Sequence, residues 1–391
     1  MNILNHRHII ADRIRTEKYR NALLNQIKPG DTVCDLGCGS GIMSFFALQA
    51  GAGHVYAIEP EKIIETARAL SVLNGLEDRI TFYHASARDV NLPAKVDLIV
   101  MEWMSPLGLD EYPLSDFLDA RQKFLSPHRG KCIPKRVNHF VVPVEDESAW
   151  HNVADPWQKP YFNLNLSLVL QKALDNSFEL RSRADGFLGK PAVWLTVDLL
   201  KSESFPPHSN YRGEKVTIIA ERGGIYHGIA AWFDADLGGE INLSNHPALP
   251  ETHWSNVFVP LPEPVSVEAG DRVSIEIAKV RSCGTSRILW ETEVEREGEL
   301  IKTLTNSGAA SDKTAFEVIA HKTGRFVPSL NPELQRLYAL LSRIDGKKNV
   351  REIARSLVIE RPDLFSTFET AVQWIVDNWK EHVDKSQLIT S

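Results

Sequence analysis

Asp35–Gly41 reads DLGCGSG, and its flanks decide what such a loop means. Before it lies Asp31–Leu36 (DTVCDL), a short apolar run of strand length. After it comes Gly41–Ala50 (GIMSFFALQA), helical in character and closed by Gly51. A glycine turn between a strand and a helix lets a ligand approach the backbone closely. The spacing is G-x-G-x-G at Gly37, Gly39 and Gly41, not the G-x-G-x-x-G of dinucleotide-binding turns. Outward from the loop the alternation continues. His54–Glu59 (HVYAIE), Ile80–His84 and Val96–Met101 (VDLIVM) are strand-like, and Glu61–Asn74 between the first two is helix-like. Alternating strand and helix predicts βαβ units and a mostly parallel sheet. Glu59 ends the second strand, where a carboxylate can accept both hydroxyls of a ribose. A glycine turn alone is often geometry only. With the acid and the βαβ frame it predicts a site for a nucleoside-type cofactor.

The rest of the chain changes period twice. A boundary falls near Pro134, and from Val137 the segments are β only: VNHFVVPVED (Val137–Asp146), YHGIAAWFDAD (Tyr226–Asp236), DRVSIEIAKV (Asp271–Val280) and RILWETEVERE (Arg287–Glu297). Glu295–Leu300 (EREGEL) predicts a hairpin turn, and successive strands with short turns predict an antiparallel sandwich or barrel. Trp150–Phe178, richer in aromatics and helix formers, reads as an insertion whose aromatics (Trp150, Trp157, Tyr161, Phe162) pack. After Thr323 the pattern is helical over Pro332–Ile344, Asn349–Val358 and Phe368–Val383. Asn349 with Glu352, and Ser366 with Glu369, predict capping boxes. The expected division is 1–134, a parallel-sheet cofactor domain; 135–323, a β domain with an arm inserted at about 150–178; and 324–391, a small helical domain.

Composition bounds the function. The 391 residues carry 44 Lys+Arg against 51 Asp+Glu, a net charge of −7, with 43% hydrophobic and 24% charged residues. This is a globular composition, and the acidic balance disfavours a nucleic-acid partner while suiting a cationic substrate. The start, MNILNHRHII, lacks a secretory pattern and no long apolar run suggests a membrane span, so a cytoplasmic location is expected. Cys34, Cys38, Cys132 and Cys283 are too few for a disulfide framework. Cys34 and Cys38 flank a turn with no second ligand pair at zinc-finger spacing, so no metal is expected.

Met101–Leu114 (MEWMSPLGLDEYPL) places Glu102 and Glu111 nine residues apart after the fourth strand. Two carboxylates returned to one cleft are costly unless they meet a cation. A bare pair reads as a solvated loop. Three further segments change that: DRIRTEKYRNAL (Asp12–Leu23), FLSPHRGKCIP (Phe124–Pro134) and ETHW (Glu251–Trp254). Together these resemble the protein arginine methyltransferase family over roughly residues 6–305.

The resemblance implies an α/β plus β architecture. A Rossmann-like S-adenosylmethionine domain is followed by an antiparallel β-barrel carrying a helical dimerisation arm at Trp150–Phe178, and the protein is a homodimer. It implies that Arg15 holds the cofactor carboxylate, with Asp35, Gly37, Gly39, Gly41, Glu59 and Ala87 around the rest. Glu102 and Glu111 match the pair that clamps the substrate guanidinium, with Met104 and Trp254 on the substrate side. His253 matches the Thr-His-Trp histidine and Asp12 the aspartate paired with it. Read alone, His253 is a structural histidine and Trp254 a buried aromatic shaping its loop. The implied reaction is N-methylation of the arginine guanidino group in a protein or peptide. Free arginine or another small guanidino compound is the alternative substrate. A catalytically silent peptide-binding scaffold is the rival class, disfavoured by the intact Glu102, Glu111 and His253.

The sequence departs from the family pattern in places. Only five residues precede His6, so the family's Tyr-Phe-x-x-Tyr lid helix is shortened, missing or supplied by another element. Arg88 stands where many members place an acid near the adenine. Arg325–Val383 loosely resembles small winged-helix domains, among them peptide-binding ones. Its nine Lys+Arg and nine Asp+Glu over Leu330–Ser391 disfavour DNA binding.

Overall fold

The computed structural model describes residues 3–107, 114–158, 163–201, 210–282, 285–306, 332–345 and 347–378. The chain divides into two compact units, Met1–Thr314 and Ala315–Ser391.

The first unit begins with α1 (Ile3–Ala11) and α2 (Arg13–Gln26), separated by Asp12. The αβ alternation follows as β1 (Thr32–Leu36), α3 (Ile42–Gln49), β2 (His54–Ile58), α4 (Ile64–Leu73), β3 (Ile80–Tyr83), β4 (Leu98–Met101), α5 (Leu114–Phe124) and β5 (Lys131–Ile133). The sheet order is β3-β2-β1-β4-β5, and every pair is parallel. All four residues of β4, LIVM, are buried, as expected for a parallel strand covered on both faces. The chain winds one way from β1 and the other way from β4. The crevice outside the carboxyl ends of these two strands is where such sheets bind ligands. The glycine loop leaves β1 and Glu102 leaves β4, so both open on that crevice.

The strands β6 (Arg136–Val144), β7 (Phe178–Glu179), β8 (Ala192–Asp198), β9 (Asn210–Arg212), β10 (Val216–Ile219), β11 (Gly224–Asp236), β12 (Asn242–Ser244), β13 (Val257–Val267), β14 (Arg272–Ser282), β15 (Thr285–Arg296) and β16 (Glu299–Thr305) are antiparallel. They form two sheets, β7-β13-β11-β6-β8 with β12 on β11, and β10-β14-β15-β16 with β9 on β14. The expected hairpin at Glu295–Leu300 is present, turning through Glu297 and Gly298 at positive φ. The two sheets share a core that includes Val137, Val141, Tyr226, Val273, Ile277 and Trp290. The Tyr226 hydroxyl is hydrogen-bonded to Thr292 Oγ1 across it.

The period of two sorts β6 residues between layers. Val137 and Val141 enter the common core. Val142 and Val144 face the inserted helices α6 (Glu147–Gln158) and α7 (Ser167–Leu174), packing with Trp150, Val153, Ala154 and Leu174. Trp150 is a packing group whose indole N–H donates to Leu261 O at 2.8 Å. Trp157 is half-buried, and Tyr161 and Phe162 lie outside the described residues.

The second unit holds α8 (Pro332–Leu341), α9 (Val350–Glu360) and α10 (Phe368–Asn378) around Leu340, Ile353, Leu357, Phe365 and Ile375. Asn349 and Glu352 form the expected capping box at α9. At α10 the reciprocal pair is Thr367 with Thr370, one residue beyond the expected Ser366 with Glu369. Among the described residues, no helix is long and apolar enough to cross a membrane.

Candidate functional site

A cavity of about 980 Å³ opens at the crevice. Its walls are α1, the glycine loop, the end of β2, Ser86–Ala87, the exit of β4, Phe117 of α5, and Glu179, His253 and Trp254 from the β domain. Of the residues singled out in the sequence, Arg15, Asp35, Gly37, Gly39, Glu59, Ala87, Glu102, His253 and Trp254 line this one space.

Glycine geometry shapes the loop. Gly37, Gly39 and Gly41 all have positive φ, at 76°, 53° and 86°. Gly37 and Cys38 donate their N–H groups to Ile58 O, fastening the loop to the end of β2. Glu59 fastens it further: Oε2 accepts the Gly39 N–H at 3.0 Å and Oε1 the Glu61 N–H at 2.9 Å. Asp35 is buried beneath and accepts the Ser44 hydroxyl at 2.6 Å. Burial pushes its carboxyl up to about 7, against the opposing effect of the Ser44 hydrogen bond.

Two glycines have different neighbours from those the sequence suggested. A Cβ on Gly39 would stand 2.5 Å from His6 Cε1, so the room over this glycine is taken by a side chain of α1. Gly41 does not line the cavity. It starts α3 as N-cap, where a Cβ would press on Phe45 and Ala67.

Arg15 is 4% exposed and donates Nη2–H at 2.9 Å and Nε–H at 3.3 Å to Glu102 Oε2. Its guanidinium also lies 5.4 Å from the Tyr19 ring centroid and 5.9 Å from that of Trp254. Arg15 Nη1 is buried and has no hydrogen-bond partner among the described residues. The other Glu102 oxygen, Oε1, accepts the Met104 N–H at 2.9 Å, and Met104 O accepts the Trp254 indole N–H at 2.7 Å. Met104 does not itself line the cavity. Its side chain is fully buried and only its main chain serves the site. Trp254 both lines the cavity and braces this loop.

Asp12 accepts three hydrogen bonds. Oδ1 takes the Arg15 N–H at 2.9 Å, capping α2, and Oδ2 takes the His253 N–H at 2.7 Å and its ring Nδ1 at 2.8 Å. Burial opposes ionisation of Asp12, but the His253 ring and the two backbone N–H groups outweigh it and hold its carboxyl below the usual range. An ionised carboxylate only accepts, so Nδ1 of His253 carries the proton and Nε2 keeps a lone pair when the ring is neutral. These contacts close a circuit that runs Asp12, Arg15, Glu102, Met104, Trp254, His253 and back to Asp12.

Glu111 lies outside the described residues, as does Cys283. Cys34, Cys38 and Cys132 are buried with thiols pushed up by burial. Among the described residues, no group of three or more His, Cys, Asp and Glu is placed to hold a metal ion. His6 and Trp103 are among the cavity residues that the sequence did not single out. His6 is buried against Gly39, and burial followed by nearby positive charge, including Arg15, lowers its pKa. Trp103 is 3% exposed, and its indole N–H has no partner among the described residues. The only signal for either was position, ahead of Asp12 in one case and beside Glu102 in the other.

Comparison with known proteins places this geometry in context. A family model described as "PRMT5 oligomerisation domain" matches residues 138–322. One described as "Ribosomal protein L11 methyltransferase (PrmA)" matches residues 16–106. Protein arginine N-methyltransferase PRMT10 of Arabidopsis thaliana is 27% identical over 344 residues, covering 79% of this chain and 87% of its own length. Protein arginine N-methyltransferase 1 of Saccharomyces cerevisiae is 30% identical over 283 residues, covering 70% and 79%. Among solved structures, the Trypanosoma brucei PRMT1 enzyme-prozyme heterotetrameric complex with AdoHcy matches with a TM-score of 0.67 and 24% identity, covering 77% of this chain and 97% of that one.

Proposed function

The chain belongs to the protein arginine N-methyltransferase family, and from that premise we propose that it methylates the guanidino group of arginine in a protein or peptide, using S-adenosylmethionine. The observation that carries this reading is the buried Arg15–Glu102 pair beside the glycine loop, with one guanidinium nitrogen of Arg15 unpartnered among the described residues.

The residues fit the cofactor. Arg15 Nη1 suits a carboxylate, Glu59 at the end of β2 suits ribose hydroxyls, and the positive-φ loop leaves the backbone open to approach. When bound, S-adenosylmethionine supplies an electrophilic methyl group on a sulfonium cation. The chain's own work is electrostatic. Glu102, with Glu111, supplies fixed negative charge for a guanidinium that stays protonated at working pH. Paired carboxylates orient that planar cation and draw its charge away from the attacking nitrogen. Nε2 of His253 accepts the proton the guanidinium must lose, and Asp12 stabilises the imidazolium that results.

The arm α6–α7 serves a homodimer, a reading supported by the match to an oligomerisation-domain model. The division into 1–134, 135–323 and 324–391 and a cytoplasmic location complete the proposal. The test is incubation with methyl-labelled S-adenosylmethionine and either arginine peptides or free arginine, read by mass spectrometry. Methylated peptide is expected. Label on free arginine alone would replace the substrate class, and no label on any guanidino compound would overturn the reaction.

A further inference from the structure

Nearly all the acids around the cavity already hold a group of the protein itself. Asp35 holds Ser44 in a buried position, both oxygens of Glu59 hold backbone N–H groups, and Glu102 is paired with Arg15. Asp12, behind the wall, is taken by His253 and Arg15. Glu61 also has an interaction of its own. Glu179 is the exception. It lines the cavity, it is exposed, and it makes no hydrogen bond or ion pair with any described residue.

Strand geometry fixes its direction. β7 pairs with β13 through Phe178↔Phe258 and Glu179↔Val257. Phe178 and Phe258 pack in the cluster under α6 and α7. Side chains alternate along a strand, so Glu179 turns to the opposite face, the one that meets the cavity beside His253 and Trp254. The nearest cation along the chain does not neutralise it. Arg181 pairs with Glu251 at 3.5 Å and donates to Pro247 O and Leu249 O.

We infer that Glu179 is a specificity-determining residue that selects substrates carrying a second positive charge beside the target guanidinium. This rests on the proposed arginine methylation. A carboxylate with no partner among the described residues attracts a cation entering the cavity, and the protein's net charge of −7 adds to the approach. The second charge comes from a basic residue flanking the target arginine or from the α-ammonium of free arginine. Both present the same chemistry to Glu179.

The experiment compares three probes on wild type and Glu179→Gln: acetyl-Gly-Arg-Gly-amide, acetyl-Lys-Gly-Arg-Gly-amide and free arginine. Calorimetric Kd is measured alongside KM and kcat. In the variant, Kd and KM for the lysine-bearing peptide are expected to rise about threefold to fivefold, the range of a partly exposed ion pair. The capped single-arginine peptide and kcat are expected to stay unchanged. Raising salt should erode the wild-type preference and leave the variant flat. A rise for free arginine but not for the lysine peptide would assign the contact to the α-ammonium. An unchanged ratio of Kd values across all three probes, in a variant that melts like wild type, overturns the inference. Absence of methylation with any probe overturns the catalytic reading instead, while the binding comparison still reports on Glu179.

Discussion

Glu102→Gln is usually treated as a neutral copy of its parent, and the structure says otherwise. Three donors converge on this carboxylate: Arg15 Nη2–H and Nε–H on Oε2, and the Met104 N–H on Oε1. A carboxamide offers one acceptor oxygen, so its NH2 must face either Met104 N–H or Arg15, donor against donor. One hydrogen bond to a charged group is lost and one buried donor is stranded, each about 1–3 kcal/mol. The side chains of the pair are 4% and 12% exposed, and Arg15 stays charged when its partner is neutralised. Breaking such a pair from one side costs about 3–5 kcal/mol, and the retained contact puts Gln near the low end. At roughly 1.5 °C per kcal/mol for a unit spanning Met1–Thr314, melting should fall by about 4 °C or more. In the folded fraction at 25 °C, turnover should drop about 10²–10³-fold, as for loss of one preorganised electrostatic group. The assay needs both readouts, with binding of S-adenosylhomocysteine as the check on the cofactor side. The double variant Arg15→Met/Glu102→Gln separates them. Removing both charges should recover part of the melting temperature and none of the rate. Turnover within threefold of wild type in folded Glu102→Gln would refute the guanidinium clamp, and unchanged melting would refute the ion pair.

Asp12 and Asp35 should give opposite pH signatures. The Asp12 carboxyl lies below its unfolded value, so its contribution is present above about pH 4 and is lost as pH falls through the folded value. Asp12→Asn should therefore flatten the acid limb of a urea-midpoint profile below about pH 4, and a parallel limb would count against the hydrogen-bond account. Asp35 is raised to about 7, so the native state binds the extra proton and wild type should lose stability as pH rises from about 4 to about 7. Asp35→Asn should remove that decline, and an undiminished decline would show that another group causes it. Gly39→Ala should destabilise by backbone strain plus the clash with His6. The loss measured by thermal melting should shrink in a His6→Ala background, and equal losses in both backgrounds would deny the contact.

Period made the sheet domain legible. Runs such as DTVCDL and LIVM are too short and too apolar for surface helices, and the glycine turn between β1 and α3 announces a crevice. β5 was hidden because three residues, KCI, carry no period. The cap of α10 slipped by one residue because Ser366 and Thr367 both have capping hydroxyls, and only the backbone decides between them. The site was legible unevenly. Asp12 and His253 stand 241 residues apart, so nothing local joins them and only the family resemblance did. The bracing role of Met104 had no signal in the sequence because it rests on a main-chain N–H and C=O, which any residue type could supply. His6 was missed because an inserted ring has no sequence signature until the glycine beneath it is seen to have no other covering.

The hydrogen-bonded circuit explains why these residues must be judged together. Asp12 ties the start of α2 to the loop ahead of β13, and Arg15, one turn into α2, holds Glu102 at the end of β4. Glu102 and Trp254 then hold the two main-chain polar groups of Met104, and Trp254 is covalently next to His253, which returns to Asp12. Three elements distant in sequence are locked by side chains that are mostly buried, where an unmade hydrogen bond is expensive. Loss of Asp12 frees the α2 cap that positions Arg15, and loss of Trp254 frees the carbonyl of the residue that positions Glu102. Effects in a closed network of this kind do not add. Once Trp254→Phe has opened the circuit, Glu102→Gln should cost less stability than it does in wild type, with a coupling of about 0.5–3 kcal/mol by double-mutant cycle. Additive losses would mean that the contacts are neighbours in space without being one mechanical unit.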